Sequence, residues 1–132
     1  MYALHLAASA GLTSAVIRLL KGGCDIEEKD RSGSTPLYYT CLNGHLDILR
    51  SLLDAGAEVN AQGGHYGSAL QAASARGHEQ IVKTLLDKGA EVNAQGGEYS
   101  NALQAASEGG HEQVVKMLLD AGAHQHQEDD LA

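Results

Sequence analysis

The sequence predicts an all-α solenoid of four helix–turn–helix units, each followed by a projecting turn. Three observations predict it: 132 residues divide into four stretches of 33, apolar residues recur twice per stretch at helical spacing, and a polar glycine-rich segment closes each stretch. A fixed period of about 20–50 residues is typical of solenoids, in which each unit buries its apolar face against its neighbours. The repeated positions include Leu4, Leu37, Leu70 and Leu103, then Gly11, Gly44, Gly77 and Gly110, then Gly23, Gly56, Gly89 and Gly122.

The first helix of a unit is clearest in the second unit. Thr35 followed by Pro36 is typical of a helix start, because a hydroxyl side chain caps free N–H groups and proline suits the first helical position. Leu37 begins the apolar pattern of this helix. Asn43-Gly44 ends the helix after about two turns, since glycine readily adopts a left-handed C-cap.

The second helix carries the longer apolar stripe. Asp47 in its first turn favours the helix dipole, Gly56 ends it, and a polar turn follows over residues 57–64. Helices of about eight to ten residues are marginal alone in water, so stacking must stabilise them. The stripes are Ala15, Val16, Leu19 and Leu20; Ile48, Leu49, Leu52 and Leu53; Ile81, Val82, Leu85 and Leu86; Val114, Val115, Leu118 and Leu119.

The period predicts a single domain over residues 1–132, with units at about 1–33, 34–66, 67–99 and 100–132. The first unit is expected to be truncated, because Met1 starts inside this unit without its own projecting turn. An acidic tail is expected over 124–132.

Composition and charge exclude several functions. Nine Lys and Arg against 17 Asp and Glu give a net charge of −8, which argues against binding nucleic acid or anionic lipid. The aromatic residues are five tyrosines, and no apolar run approaches the roughly 18–20 residues that span a bilayer. Two cysteines are too few for a disulfide scaffold, so we expect a cytoplasmic or nuclear protein. Phosphate-loop, nucleophile-elbow and zinc-helix motifs are absent, which predicts no enzyme activity and no cofactor.

The residue pattern resembles the ankyrin repeat over essentially the whole chain. The match is specific because the period and residue types agree in four copies, and the second unit carries it best. Asn-Ala-Gln-Gly-Gly and Ala-Leu-Gln-Ala-Ala-Ser resemble ankyrin arrays common in fungal multidomain proteins. The matching segments are Ala3-Leu4-His5-Leu6-Ala7-Ala8, Thr35-Pro36-Leu37-Tyr38, Gly44-His45 and Leu52-Leu53.

Units three and four depart from the family pattern at the start of the first helix. In the family, a Thr and a His at this place join neighbouring loops by hydrogen bonds. Here Gln71 and Gln104 replace that His, and Ser68 and Asn101 replace that Thr. The resemblance therefore implies an altered loop network in these two units.

The differences between units three and four predict where a partner binds. Residues 69–90 and 102–123 are identical at 17 of 22 positions, and Ala75/Glu108 and Arg76/Gly109 are the largest changes. The resemblance implies that a partner lies in a concave groove lined by the projecting turns and the exposed ends of the first helices. Neutral drift at exposed sites is the alternative. The predicted contact residues are Arg31, Ser32, Ser34, Leu42, Asn43, His65, Tyr66, Gly67, Ala75, Arg76, Glu98, Tyr99, Ser100, Glu108 and Gly109.

Two features of this set leave alternatives open. Tyr66 and Tyr99 stand where the family usually has glycine, and they either pack into a ladder or contact a ligand. Leu42 is apolar at a position that is normally exposed, which suits an interface anchor.

The remaining chemical groups are better explained by structure. His45, His78 and His111 recur with the repeat, which favours a structural role in the turns. Cys24 and Cys41 stand where other units have small residues, so burial explains them better than catalysis. The C-terminus contains a cluster of residues of the types that bind metals, but a solvated tail explains this cluster better than a metal site does. Its residues are His124, His126, Glu128, Asp129 and Asp130.

The sequence therefore predicts a non-catalytic scaffold that binds a protein partner with a basic patch. The competing hypothesis is an assembly element or a fragment of a larger protein. In that case Leu6, Leu12 and Ile17 on an uncovered N-terminal face mediate weak self-association or dock a neighbouring domain. A third and less favoured hypothesis is an enzyme with a metal held by the C-terminal histidines and acids.

Overall fold

The computed structural model describes residues 3–124, which contain eight α-helices arranged as four antiparallel pairs. An isolated antiparallel bridge joins Gln62 to Ser68 in the second projecting turn. The predicted all-α architecture is confirmed. The helices are α1 (Ala3–Ala10), α2 (Thr13–Lys21), α3 (Pro36–Asn43), α4 (Leu46–Asp54), α5 (Ala69–Arg76), α6 (Glu79–Asp87), α7 (Ala102–Glu108) and α8 (Glu112–Asp120).

The helices form two layers, with α1, α3, α5 and α7 in one and α2, α4, α6 and α8 in the other. Contacts between adjacent first-layer helices are more extensive than those between adjacent second-layer helices. Buried alanines such as Ala72, Ala73 and Ala105 permit this close approach. Because the first layer packs more closely, the array curves with these helices on its inner side.

Each described unit from the second onward starts its first helix with a side-chain N-cap. Three different residue types cap this helix, since serine and asparagine oxygens accept a backbone N–H as threonine does. The altered openings of units three and four therefore keep the cap. The bonds run from Tyr38 N to Thr35 Oγ1 (3.3 Å), from Gln71 N to Ser68 Oγ (3.3 Å) and from Gln104 N to Asn101 Oδ1 (2.7 Å).

The recurring histidines join each unit to the preceding one. Each occupies the N-cap position of a second-layer helix without making a cap bond, and its ring reaches the C-terminal end of the neighbouring first-layer helix. Since a carbonyl only accepts, Nε2 donates the hydrogen bond. The 3.0 Å bonds link His45 to Ser9 O, His78 to Leu42 O and His111 to Ala75 O.

Glycine is required where these rings pack. Gly44 caps α3 at φ 77°, a left-handed conformation, and a Cβ placed there would lie 2.9 Å from Cε1 of His78. The histidines and glycines thus form a structural contact between units, as their recurrence indicates.

Apolar residues of both layers form one continuous core. Leu37, Leu49, Leu52 and Leu85 are almost fully buried within it. Cys41 is also fully buried, and burial raises the pKa of its thiol. Cys24 is only partly buried.

The first unit leaves part of its apolar surface uncovered. Leu6, Leu12 and Ile17 are 52%, 55% and 40% exposed, as the sequence predicts. Within residues 3–124, no helix has the length and apolarity needed to cross a membrane. Most of the predicted acidic tail and metal-like cluster lies outside the described residues, and His124 donates its backbone N–H to Asn93 Oδ1 at 2.9 Å.

Candidate functional site

The predicted contact residues lie in two places: the projecting turns and the C-terminal ends of α3, α5 and α7. Both places border the inner layer of helices. Nine of these residues are exposed and four are partly buried. The exposed ones are Arg31, Ser32, Asn43, His65, Arg76, Glu98, Ser100, Glu108 and Gly109, and the partly buried ones are Leu42, Tyr66, Ala75 and Tyr99.

Ser34 and Gly67 are buried, and this differs from the expectation that they face a partner. Ser34 is 2% exposed, and its backbone oxygen accepts a hydrogen bond from Nε2 of His5 at 3.0 Å. A Cβ at Gly67 would lie 2.7 Å from Oε1 of Gln71 and 2.9 Å from the oxygen of Gly96. Ser34 therefore joins its turn to α1, and Gly67 allows the second projecting turn to pack closely against the third.

One repeated position joins each of α1, α3 and α5 to the projecting turn that follows the unit. His5 reaches the next turn through Ser34 O, and Tyr38 does so by accepting the backbone N–H of Tyr66 at 3.0 Å. Gln71 donates from Nε2 to the oxygens of Gly96 (2.7 Å) and Ser100 (3.4 Å). Histidine, tyrosine and glutamine thus join the helix to the turn at the same position of three units. Gln71, which stands where the family has histidine, changes the hydrogen-bonding groups and keeps the contact.

Hydrogen bonds to a carboxylate also order the first projecting turn. Asp30 accepts the backbone N–H groups of Ser32 (2.9 Å) and Ser34 (3.0 Å) and the hydroxyl of Tyr39. Burial alone would raise the pKa of Asp30, but these three hydrogen bonds outweigh it and lower the pKa below its usual value. The hydrogen bond to Asp30, with burial, raises the pKa of Tyr39.

Sequence reasoning missed Asp30, Tyr38 and Tyr39 as parts of this region. The Tyr38-Tyr39 pair stands at the position of His5-Leu6, and that replacement was the available signal. The two tyrosine rings meet edge to face at 5.7 Å, and Tyr39 meets His5 at 6.0 Å. A Cβ at Gly64, whose φ is 85°, would lie 2.6 Å from Cζ of Tyr38, so this glycine leaves room for the ring.

Tyr66 and Tyr99 are brought together between the second and third projecting turns. Their rings are stacked, with centroids 6.0 Å apart and planes inclined by 17°. His65 meets Tyr66 edge to face at 4.7 Å, and its Nε2 lies 3.3 Å from Oε1 of Glu98. The structure thus supports the ladder predicted for these tyrosines, while both rings remain partly exposed.

The other half of the predicted set lies at the ends of the first-layer helices. Asn43 donates from Nδ2 to the backbone oxygen and Oγ of Ser9, both at 3.0 Å, so it also joins two units. Glu108 accepts from Nε2 of Gln104 at 3.2 Å. Leu42 is partly buried, which leaves part of its side chain for contact.

The arrangement supplies aromatic faces, exposed carboxylates and the guanidinium groups of Arg31 and Arg76 along one side of the molecule. Such a mixture suits recognition of a polypeptide surface. In the part of the chain that the structure describes, no group of three or more His, Cys, Asp or Glu side chains is placed to hold a metal ion.

Comparison with known proteins gives one family. The family model described as "Ankyrin repeats (3 copies)" matches residues 1–63 and again residues 64–129. Together these segments cover nearly the whole chain.

Several curated proteins are similar over about half of the chain. An ankyrin and IPT/TIG repeat-containing protein of Schizosaccharomyces pombe is 43% identical over 60 residues, which are 46% of this chain and 5% of that protein. Human protein phosphatase 1 regulatory subunit 27 is 42% identical over 59 residues, 45% of this chain and 38% of the subunit. The mouse B-cell lymphoma 3 protein homolog is 44% identical over 61 residues, 46% of this chain and 14% of that protein. The matched regions thus span well under half the length of each of these relatives.

Proposed function

This chain belongs to the ankyrin-repeat family, and we propose that it is a non-catalytic module that binds a protein partner in the groove of its inner layer. Ankyrin repeats are protein–protein interaction modules. The observation that carries the proposal is the exposure of variable side chains along one side of an otherwise repeated array. His65 and Glu98 stand at equivalent positions of units two and three and differ in charge. Arg76 and Glu108 stand at neighbouring positions of units three and four and also differ in charge.

The binding surface comprises the exposed and partly exposed predicted residues and excludes the buried Ser34 and Gly67. Leu42 supplies an apolar anchor at the end of α3. Rigid stacking of the units holds these side chains in fixed relative positions, which lowers the entropy lost on binding.

The net charge of −8 favours a partner with a basic patch. Electrostatic attraction speeds the encounter of oppositely charged surfaces, and added salt screens it. We therefore expect the association rate to fall as ionic strength rises. A rate that is indifferent to salt would contradict this electrostatic part of the proposal.

The test is affinity capture from a lysate of the source organism. The wild type is compared with a groove variant that combines Leu42→Asp, Arg76→Glu and Glu108→Arg. A control variant combines Gln80→Glu, Lys83→Glu and Asp87→Lys on the exposed face of α6. Each variant changes the net charge by −1, so the change in net charge cannot explain a difference between the two.

Circular dichroism first establishes that both variants fold. A partner that is recovered by the wild type and the control but lost by the groove variant would support the proposal. Equal recovery by all three proteins would move the contact away from the groove.

A second candidate function is self-association through the first unit. Leu6 and Leu12 border an exposed depression of about 390 Å³, which Ala15, Arg18 and Leu19 also line. Ile17 is 40% exposed on the same helix, α2. Leu12 stands where later units carry the histidine that bonds the preceding unit, so this face offers apolar contact instead. A second copy of the chain would cover it by the same stacking that joins the units.

Light scattering over a dilution series tests this second function. We expect the mass to rise with concentration for the wild type and to remain that of a monomer for Leu12→Lys. A strict monomer at every concentration of the wild type would exclude it.

A further inference from the structure

The stacked pair of Tyr66 and Tyr99, called here the tyrosine stack, presents an aromatic surface at the border of the groove. The rings are parallel to within 17°, and both are partly exposed. Within residues 3–124, Tyr66 is the one ring in contact with Tyr99. An aromatic face carries partial negative charge and attracts a cation that lies over it.

A carboxylate lies beside this stack. The Glu98 side chain is 47% exposed and contacts Nε2 of His65 at 3.3 Å, and His65 in turn meets Tyr66 at 4.7 Å. Among the described residues, no lysine or arginine pairs with Glu98. The half-exposed carboxylate therefore lies beside the aromatic rings and is open to a further partner.

A second carboxylate stands at the C-terminal end of α7. Glu108 is exposed and contacts the neutral amide of Gln104. One repeat earlier, at a distance of 33 residues, the equivalent positions hold His65 and Ala75, so the acidic pair does not recur there.

We infer that the tyrosine stack and Glu98 bind an arginine side chain from an extended segment of the partner. The planar guanidinium group stacks on the face of Tyr99 while its N–H groups donate to the Glu98 carboxylate. Lysine fits less well, because its compact ammonium neither stacks nor forms a paired contact with a carboxylate. The exposed carboxylate of Glu108 favours a second basic residue in the same partner. This inference rests on the proposed protein-binding function and specifies the chemistry of the partner.

The direct test is an NMR titration of ¹⁵N-labelled protein with the tripeptide acetyl-Gly-Arg-Gly-amide. We expect amide shifts at residues 65–66 and 97–101. Citrulline has the shape of arginine without its charge, so the citrulline tripeptide should bind at least about tenfold more weakly, and the lysine tripeptide about threefold more weakly.

Two matched variants locate the site. Glu98→Gln should weaken binding of the arginine tripeptide several-fold, because it removes the charge and keeps the shape of the side chain. Glu91→Gln makes the same change in the same turn, where the Glu91 backbone N–H bonds Asn60 Oδ1, and it should leave binding unchanged. Equal binding of the arginine and citrulline tripeptides, equal effects of the two variants, or absence of shifts near the tyrosine stack would overturn the inference.

The capture experiment separates this inference from the function on which it rests. Loss of the partner with the groove variant, together with unchanged recovery by Glu98→Gln, would overturn the arginine site and keep the groove. Reduced recovery by Glu98→Gln but not by Glu91→Gln would support both. Unchanged recovery by all variants would overturn the groove, and the tripeptide titration would still decide whether the tyrosine stack binds arginine.

Discussion

Replacement of Gly44 by alanine tests the contact on which the stacking of units depends. The residue has φ 77°, and the added Cβ would lie 2.9 Å from Cε1 and 3.0 Å from Nδ1 of the His78 ring. The ring is held in place by the 3.0 Å hydrogen bond from Nε2 to Leu42 O. The substitution therefore strains the backbone and also displaces a ring that joins two units.

The magnitude follows from these two effects. A left-handed backbone costs an alanine about 1–2 kcal/mol. Displacement of His78 costs about 1 kcal/mol more through its hydrogen bond. We expect Gly44→Ala to lower the free energy of unfolding by about 2–3 kcal/mol.

Gly56 provides the matched control. Its φ is 95°, and an added Cβ would meet nothing within 4 Å. Gly56→Ala should thus cost only the backbone strain of about 1–2 kcal/mol. In a His78→Ala background, Gly44→Ala should likewise cost only the backbone strain, which gives a coupling energy of about 1 kcal/mol between residues 44 and 78.

The assay is urea unfolding followed by far-UV circular dichroism, with the free energy extrapolated linearly to zero denaturant. Equal costs for Gly44→Ala and Gly56→Ala would refute the reasoning. A coupling energy near zero would do the same, because the histidine ring would then move aside freely.

Three further predictions concern the turns and the core. Gln71→Ala should destabilise the protein by about 1–2 kcal/mol and speed amide exchange over residues 96–100, since it removes the hydrogen bonds to Gly96 O and Ser100 O. Gln104→Ala should cost under about 0.5 kcal/mol, because the Gln104 side chain bonds the exposed Glu108. Similar effects of the two variants would contradict the link between α5 and the third projecting turn. The pKa of Asp30 is lowered in the folded state, so its contribution should be full above the unfolded-state value of about 3.9 and disappear as pH falls through the lower folded-state value. Wild type should therefore exceed Asp30→Asn in urea stability at pH 7 by at most about 1 kcal/mol, and a gap that persists at pH 2 would contradict the assignment. Burial raises the pKa of the Cys41 thiol, so a thiol reagent should modify Cys24 at least about tenfold faster than Cys41, and comparison of Cys24→Ser with Cys41→Ser identifies each rate.

Much of the candidate site could be located from the sequence, because the period aligns each unit with the others. The alignment places His65, Glu98, Arg76 and Glu108 at positions that differ between near-identical units, and the structure finds all four exposed. The alignment does not report burial within a turn. Ser34 therefore looked available although its neighbours enclose it.

The sequence by itself determined the helices and their ends. Helix boundaries depend on neighbours within a few residues, and Thr35-Pro36 and Asn43-Gly44 contain the cap residues that α3 uses. The apolar stripes likewise indicated which face of each second-layer helix is buried, because they repeat with the helical period. Leu119 departs from this, since it is 40% exposed.

Only the tertiary structure decided which side chains meet across units. The bond from Gln71 to Gly96 spans 25 residues, and that from His78 to Leu42 spans 36. Such contacts depend on the distance and rotation between stacked units, which a linear pattern of residue types does not encode. For the same reason, the stacking of Tyr66 on Tyr99 and the approach of Glu98 to His65 emerged only when the units were placed side by side.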